Sequence, residues 1–422
     1  MDLQHPCSTR ETARNATRKA ARKTMPSTTP LPAAVLDRMT RHTNRLNDDW
    51  KGRHIFEGAV PGPGAVLLSS NDYLGLAREP RILKVMADTL TSEGNSTLMS
   101  GAYLRGTHPQ LRLENDLAGH LRAAGGILCQ SGWAANTGLL QAVAAPGTPT
   151  YIDVLAHMSL WEGARLAGAE PHRFRHNDPA QLRRRIAASG PGVILVDSVY
   201  STDGSVCPLP EIAAAAQETG CLLVVDESHA LGTHGTLGEG LVSGLGLEDQ
   251  VHFRTASLSK AFAGRAGLIA CCDREFVDYY KLAAYPAIFS SALQPHDVAG
   301  LAETLCVVRE AGRRRDRLAA LSSYVRAELT AAGVGVGGSR SQIIALEGGS
   351  DLRTMELRDA LERQGVFGSV FCPPATPRAR SLVRLSLHAG LSDAEVERVV
   401  EVCRGVRGLL RRPGPPGGGG AA

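Results

Sequence analysis

Ser257-Leu258-Ser259-Lys260-Ala261-Phe262-Ala263-Gly264 sets a lysine in a loop of small residues, directly after the strand-like run Val251-His252-Phe253-Arg254-Thr255. Upstream, Leu222-Leu223-Val224-Val225-Asp226-Glu227-Ser228-His229 is a second apolar run that ends on an acid. Two strands, one ending in Asp226 and the next followed by Lys260, point to pyridoxal phosphate (PLP) chemistry. That cofactor needs a lysine to hold its aldehyde and a carboxylate to keep its ring nitrogen protonated, so that the ring accepts electrons.

Working outward, strand and helix patterns alternate. Residues 31–60 mix helical apolar spacing with charge and read as an N-terminal helix and arm. Ala65-Val66-Leu67-Leu68 reads as a short strand, and Ser69-Ser70-Asn71-Asp72-Tyr73-Leu74-Gly75-Leu76 after it as a polar turn. Pro80 and Pro109 start helices over 80–92 and 109–123; in the second, Leu113, Leu117 and Leu121 recur every four residues. Gly126-Ile127-Leu128-Cys129-Gln130 is strand-like and breaks into Ser131-Gly132-Trp133-Ala134-Ala135-Asn136 before an Ala/Leu-rich helix. Strand, Ser-Gly turn and helix N-terminus is a place to hold a phosphate, since the first helical N–H groups lack partners. By itself this is a weak signal, and it is neither a Walker A loop nor a dinucleotide G-x-G-x-x-G turn.

Tyr151-Ile152-Asp153 reads as the next strand, leading to His157, which by itself could be an ordinary surface or capping histidine. His172 and His176 flank another short strand and read as structural. Val193-Ile194-Leu195-Val196-Asp197 is apolar almost throughout, as a strand buried on both faces should be. A helix over 209–219, the strand into Asp226, and strands near 251–256 and 266–271 complete the series. The alternation predicts an α/β fold with a mostly parallel sheet and helices on both faces. Ligands of such sheets lie beyond the carboxyl ends of the strands, where Asp226 and Lys260 fall. After about residue 300 the pattern changes to helices over 296–333, short strands at 341–346 and 381–387, and a helix over 392–410. The expected organisation is a basic tail (1–30), an N-terminal arm and helix (31–90), a large domain (91–300), a small C-terminal α+β domain (301–411) and a Gly/Pro tail (412–422).

Composition narrows the class. The 422 residues are 43% hydrophobic and 21% charged with a net charge of +4, ordinary for a soluble globular protein. Arg10, Arg14, Arg18, Lys19, Arg22 and Lys23 face only Asp2 and Glu11 in the first 30 residues. That stretch reads as a disordered tail, with a nucleic-acid arm or an organelle transit peptide as the alternatives. The absence of a hydrophobic leader core and of an 18-residue apolar run argues against export and membrane spanning. Nine cysteines without a C-x-x-C pair fit a reducing cytoplasm and no metal site.

Taken together, the motifs resemble the α-oxoamine synthases, PLP enzymes of fold type I, over roughly residues 60–405. Ser69–Leu76, Ser131–Asn136, Asp226-x-x-His229 and Ser257-x-x-Lys260 stand in that family's order and spacing. Within the family, Cys129–Asn136, Ala156–Arg165, Tyr285–Ser291 and Gly365–Cys372 look like the α-hydroxyketone quorum-sensing autoinducer synthases. The resemblance implies that the parallel sheet is of the seven-stranded type. It also implies that Lys260 binds the cofactor and moves the α-proton of an amino acid, that Asp226 pairs with the ring nitrogen, and that His157 stacks on the ring. It places His229 at the ring hydroxyl with Ser201 in the same layer. It gives the phosphate to Ser131, Gly132, Trp133 and Ser257, with Ser291 reaching it from the other subunit of a homodimer. Asn71 lines the substrate site, and Arg384 grips the substrate carboxylate, for which its planar fork is suited.

The implied reaction is a PLP-dependent acyl transfer. An acyl-CoA condenses with an amino donor, 2-aminobutyrate or S-adenosylmethionine, and loss of CO2 and CoA leaves an α-aminoketone, precursor of the autoinducer. An 8-amino-7-oxononanoate synthase or serine palmitoyltransferase type is the second reading, and a non-catalytic PLP-fold partner or regulatory subunit a third. The intact Lys260 and Asp226 and the lack of a DNA-reading helix pair argue against the third. Two departures stand out: Gln110 where many members carry His, and Cys372 where an Arg commonly precedes Pro-Pro. Both leave the PLP residues intact and lean toward the autoinducer group. If the basic tail is dispensable, deleting residues 1–30 will leave turnover within about twofold of the full chain in a product assay; a large loss would refute that reading.

Overall fold

The computed structural model describes residues 29–95 and 98–411. The basic tail therefore lies outside the described residues except for Thr29 and Pro30, as does the Gly/Pro tail from residue 412. Contacts divide the chain at His54/Ile55. Among the described residues of the first unit, the helix Ala33–Trp50 closes on Lys51, whose left-handed backbone lets its N–H reach the Asn47 carbonyl.

In the second unit the strands follow in chain order as β1 (Val66–Leu67), β2 (Gly125–Cys129), β3 (Pro149–Asp153), β4 (Glu170–Phe174), β5 (Val193–Asp197), β6 (Leu222–Asp226), β7 (Phe253–Ser257) and β8 (Gly267–Cys271). Then come β9 (Ile343–Gly349), β10 (Val366–Phe367), β11 (Ser369–Phe371) and β12 (Ser381–Ser386). Seven of them form one sheet in the order β2-β8-β7-β6-β5-β3-β4. Only β8 runs against its neighbours β2 and β7. The architecture is α/β with a mostly parallel seven-stranded sheet.

The burial pattern explains why β5 and β6 lie at the centre. Every residue of β5 is buried, and alternate side chains point to opposite faces. Leu195 and Val224 join the helices Gly132–Val143 and Met158–Leu166 in one apolar layer. Ile194, Val196, Leu223 and Val225 join Pro179–Ser189 and Leu209–Thr219 in the other. A strand covered by helices on both faces has no polar side to show, hence the near-continuous apolar runs. In register, Asp197 lies beside Asp226, and Asp226 beside Thr255, all at the carboxyl ends.

The smaller sheets carry the opposite wall. β9, β12 and β11 form an antiparallel sheet. β1 pairs in parallel with β10, and the Leu68 carbonyl accepts the Ser386 N–H at 2.8 Å. The segment that precedes Asn71 is thus hydrogen-bonded to strands 300 residues later. The periodicity of 65–68 predicted a strand and left its partner unspecified.

His120 ends the helix Pro109–His120 and is 6% exposed. Burial, reinforced by the cationic Arg309, pulls its pKa from 6.5 to about 4. The folded imidazole therefore refuses a proton that the unfolded chain accepts. Stability should be lost as pH falls from about 6.5 to about 4, by about 1.4 kcal/mol per unit of pKa difference at most. In His120→Gln this part of the pH profile should flatten, as read from urea midpoints.

Candidate active site

Asp226 ends β6 and is 4% exposed. Its Oδ1 accepts the Ser228 N–H at 2.8 Å, and its Oδ2 accepts from Asn136 Nδ2 at 2.7 Å. Asn136 is held in turn: Thr255 Oγ1 donates to its Oδ1 at 2.6 Å, and its Nδ2 also donates to Ser159 Oγ at 2.8 Å. Ser159 Oγ lies 2.7 Å from His157 Nδ1. Because Ser159 accepts from Asn136, its own proton is available for His157. One amide thereby orients both the buried carboxylate and the histidine.

His157 does cap a helix, as the plain reading of it allowed: its side chain accepts from the Ser159 N–H at the start of Met158–Leu166. Its own N–H donates to Asp197 Oδ1 at 3.1 Å. Burial lowers its pKa; Asp226 opposes this and Lys260 adds to it. Trp133 meets the ring edge-on, with centroids 6.2 Å apart. Asp197 is fully enclosed, and burial, with Asp226 next to it, pushes its pKa well up.

Lys260 follows β7 in a tight loop. Ala263 N–H donates to the Lys260 carbonyl at 2.8 Å, and Gly264 N–H to that of Leu258 at 2.9 Å. Ala263 sits at φ 47°, a left-handed conformation that costs a side-chain-bearing residue energy and is held by the surrounding bonds. Burial lowers the Lys260 pKa and Arg384 reinforces this, while Asp226 opposes it. A desolvated amine of this kind is readily found neutral.

Lys260, His157, His229, Ser201, Asn71 and Arg384 line one cavity of about 570 Å³ together with the apolar Val154, Leu155, Met158, Trp161, Phe371 and Pro374. Arg384, on β12, donates from Nη1 to the Ser201 carbonyl and from Nη2 to Asn71 Oδ1, each at 2.9 Å. Its guanidinium lies 4.6 Å from the Phe371 ring centre. Its buried Nε has no partner among the described residues. His229 Nδ1 lies 2.6 Å from Tyr73 Oη. Burial, then the charges of Lys260 and Arg384, drive the His229 pKa well down.

Ser131, Gly132 and Ser257 gather at the N-terminus of Gly132–Val143. Ser131 Oγ caps it by accepting the Ala134 N–H at 3.1 Å. A Cβ on Gly132 would stand 2.6 Å from Ser257 Cβ, so glycine lets the β7 end approach the turn. The N–H groups of Gly132 and Trp133 belong to the first turn, where no helical carbonyl precedes them. Such a terminus favours an anion. Ser257 Oγ is 2.8 Å from Ser259 Oγ. Ser291 is set apart from the cavity: it is exposed, bridged to Ser100, and its carbonyl accepts from Gln130 Nε2 at 2.5 Å.

Asn136, Tyr73, Thr255, Asp197 and Phe371 were not singled out in the sequence. Asn136 and Tyr73 stood inside quoted motifs, Asp197 at the end of an apolar run; each was legible as a position without its partner. Gln110 bonds to Glu114 Oε1 and to the Leu293 N–H, which ties the start of one helix to the Leu293 segment. Cys372 is buried beside Phe371.

The group has a reactive amine, a buried carboxylate held by donors, an anion-favouring helix end and an arginine with a spare donor. These residues fit pyridoxal 5'-phosphate. Comparison with known proteins agrees. Residues 63–402 match the family "Aminotransferase class I and II". A CAI-1 autoinducer synthase of Vibrio campbellii is 42% identical over 90% of this chain and 96% of its own. A serine palmitoyltransferase of Caulobacter vibrioides is 32% identical over 82% of this chain and 86% of its own. A structure of a serine palmitoyltransferase variant from S. paucimobilis with bound PLP and myriocin superposes with TM-score 0.80 at 25% identity, covering 90% of this chain and 99% of the other.

Asn136→Ala would leave Asp226 Oδ2 and Thr255 Oγ1 short of a buried partner. The expected cost is about 1–3 kcal/mol of stability, measured by urea unfolding, together with weaker PLP retention on dialysis.

Proposed function

We propose a function on one premise: the chain belongs to the aminotransferase class I and II family, in its α-oxoamine synthase branch, and uses pyridoxal 5'-phosphate. It is an acyltransferase that condenses an acyl-CoA with 2-aminobutyrate or S-adenosylmethionine. Decarboxylation gives an α-aminoketone, which becomes an α-hydroxyketone quorum-sensing autoinducer after its amine is exchanged for oxygen. The observation that carries this reading is one cavity whose lining joins Lys260 and Arg384 with Val154, Leu155, Met158, Trp161 and Phe371.

When bound, the cofactor supplies an electron sink for the α-carbon of the amino donor. Lys260 holds it and, as a neutral amine, takes the α-proton at Nζ. Asp226, its two oxygens oriented by Asn136 and the Ser228 N–H, would pair with the ring nitrogen. His157 would cover the ring, and His229 and Ser201 would hold the ring hydroxyl. Gly132 and Trp133 N–H groups, Ser131 and Ser257 hold the phosphate. Arg384, through its spare Nε, grips the donor carboxylate beside Asn71. The apolar wall receives the acyl chain and keeps water from the reacting carbons.

A second copy of the chain completes the assembly. Ser291 is proposed to reach the partner's phosphate site, which its exposed position supports. Tyr285 and Phe289, 64% and 79% exposed in the same segment, are large apolar groups suited to cover by another subunit. The free cysteines among the described residues fit the reducing cytoplasm. No helix among the described residues is long and apolar enough to cross a membrane.

The test is a mass spectrum of products from the PLP-loaded protein with acyl-CoAs of several lengths and a panel of amino donors. A medium-chain aminoketone from 2-aminobutyrate or S-adenosylmethionine is expected. Alanine with pimeloyl thioester, or serine with palmitoyl-CoA, as the productive pair would shift the assignment to the other synthases of the branch. Lys260→Ala should lose turnover by at least about 10²–10⁴-fold together with the cofactor's bound absorbance; unchanged turnover would sink the mechanism.

A further inference from the structure

Between the small sheet and the cavity, four side chains form one hydrogen-bonded series. Arg384 Nη2 donates to Asn71 Oδ1 at 2.9 Å. Tyr73 Oη lies 3.2 Å from that same oxygen and 2.6 Å from His229 Nδ1. Tyr73 is 0% and His229 4% exposed, so water does not compete for these contacts. Gln342 Nε2 donates to the His229 carbonyl at 2.8 Å, which holds the residue's backbone in place.

Proton counting gives the series a direction. A guanidinium only donates, so Asn71 must turn its carbonyl oxygen toward Arg384. That oxygen has no proton to offer Tyr73. The Tyr73–Asn71 contact is a hydrogen bond only if Tyr73 spends its single proton there. Ser386 and Gln342 also face Tyr73 as hydrogen-bonding groups; with its proton spent on Asn71, Tyr73 Oη is an acceptor toward His229, and the hydrogen between them sits on Nδ1. His229 is neutral in this enclosed, cation-rich site, so its other nitrogen is left bare.

We propose that Tyr73 is a positioning residue that carries the polarity of Arg384 to His229, so that His229 offers the cavity an acceptor, Nε2, rather than a donor. The group it receives is a hydroxyl, of the phenolic class that the ring of the cofactor bears. The assignment builds on the proposed roles of Arg384 and His229. It adds a link between them: a carboxylate gripped at the spare Nε and spanning to the neighbouring Nη2 would draw Nη2 from Asn71 and release the constraint on the far end of the series. Donor arrival and proton placement at His229 are coupled through one phenol.

The experiment is nitrogen-15 NMR of histidine-labelled, full-length protein before cofactor is added. His229 is assigned as the signal lost in His229→Gln. The unsubstituted chain should show the Nδ1–H tautomer. Tyr73→Phe removes only Oη and keeps the ring packing; Asn71→Ala removes the oxygen that orders the phenol. Each should move His229 toward the Nε2–H tautomer, exchanging its protonated and bare nitrogen resonances. An Nε2–H tautomer at the outset overturns the proposal, and so does either variant leaving the Nδ1–H form unchanged. Should Tyr73→Phe not fold, Asn71→Ala decides alone. A merely structural Tyr73 would not shift the tautomer. Because no cofactor or substrate is present, the result does not depend on which acyl or amino donor the enzyme uses.

Discussion

The buried carboxylate of Asp226 is the constraint around which the site is arranged. A charge placed at the end of a central strand, 4% exposed, is tolerable only when donors surround it. Asn136 and the Ser228 N–H are those donors. Satisfying Asn136 then demands Thr255 on the neighbouring strand and Ser159 on the next helix, and Ser159 brings His157 with it. A single requirement of charge burial thus orders residues from β6, β7 and two helices.

The electrostatics of the cavity follow from enclosure more than from any one pair. Burial is the leading cause of the lowered values of Lys260, His157, His229 and Arg384, and of the raised value of Asp197. Each group is pressed toward its neutral form, and for Lys260, His157, His229 and Asp197 like charges nearby add to the pressure. The proposed role of Lys260 would gain from this, since an amine must shed its proton before it can bond to an aldehyde or accept a proton from carbon. Arg384 is held differently. Its fork is fixed by Ser201, Asn71 and the Phe371 face, and it retains one unused donor.

Much of the fold could be read directly. Runs such as Val193–Asp197 and Leu222–Asp226 announce strands buried on both faces, and prolines at 80 and 109 begin helices where expected. The alternation of the two implies a parallel sheet with its ligand at the carboxyl ends, and Asp226 and Lys260 indeed end up at that edge. What periodicity could not disclose was pairing. The reversed direction of β8 depends on its insertion between β2 and β7. The union of β1 with β10 depends on a contact across 300 residues. His157 shows the same limit at a single residue: read alone it allowed a helix cap, the resemblance implied a ring contact, and the structure shows the cap and puts the residue in the cavity lining.

The sequence by itself determined the chemistry available to this protein. A lysine after one strand, an acid at the end of another and a Ser-Gly helix start are local facts, because strands, turns and caps are set by near neighbours. Tertiary structure decided which side chains share a cavity and which way their hydrogen bonds run. Arg384 meets Asn71 only because β12 and the β1–β10 pair lie together, and Tyr73 reaches His229 only across that junction. Such contacts carry no periodic signature. They arise when separate elements bury their apolar faces together, and the polar groups trapped between them must then satisfy one another.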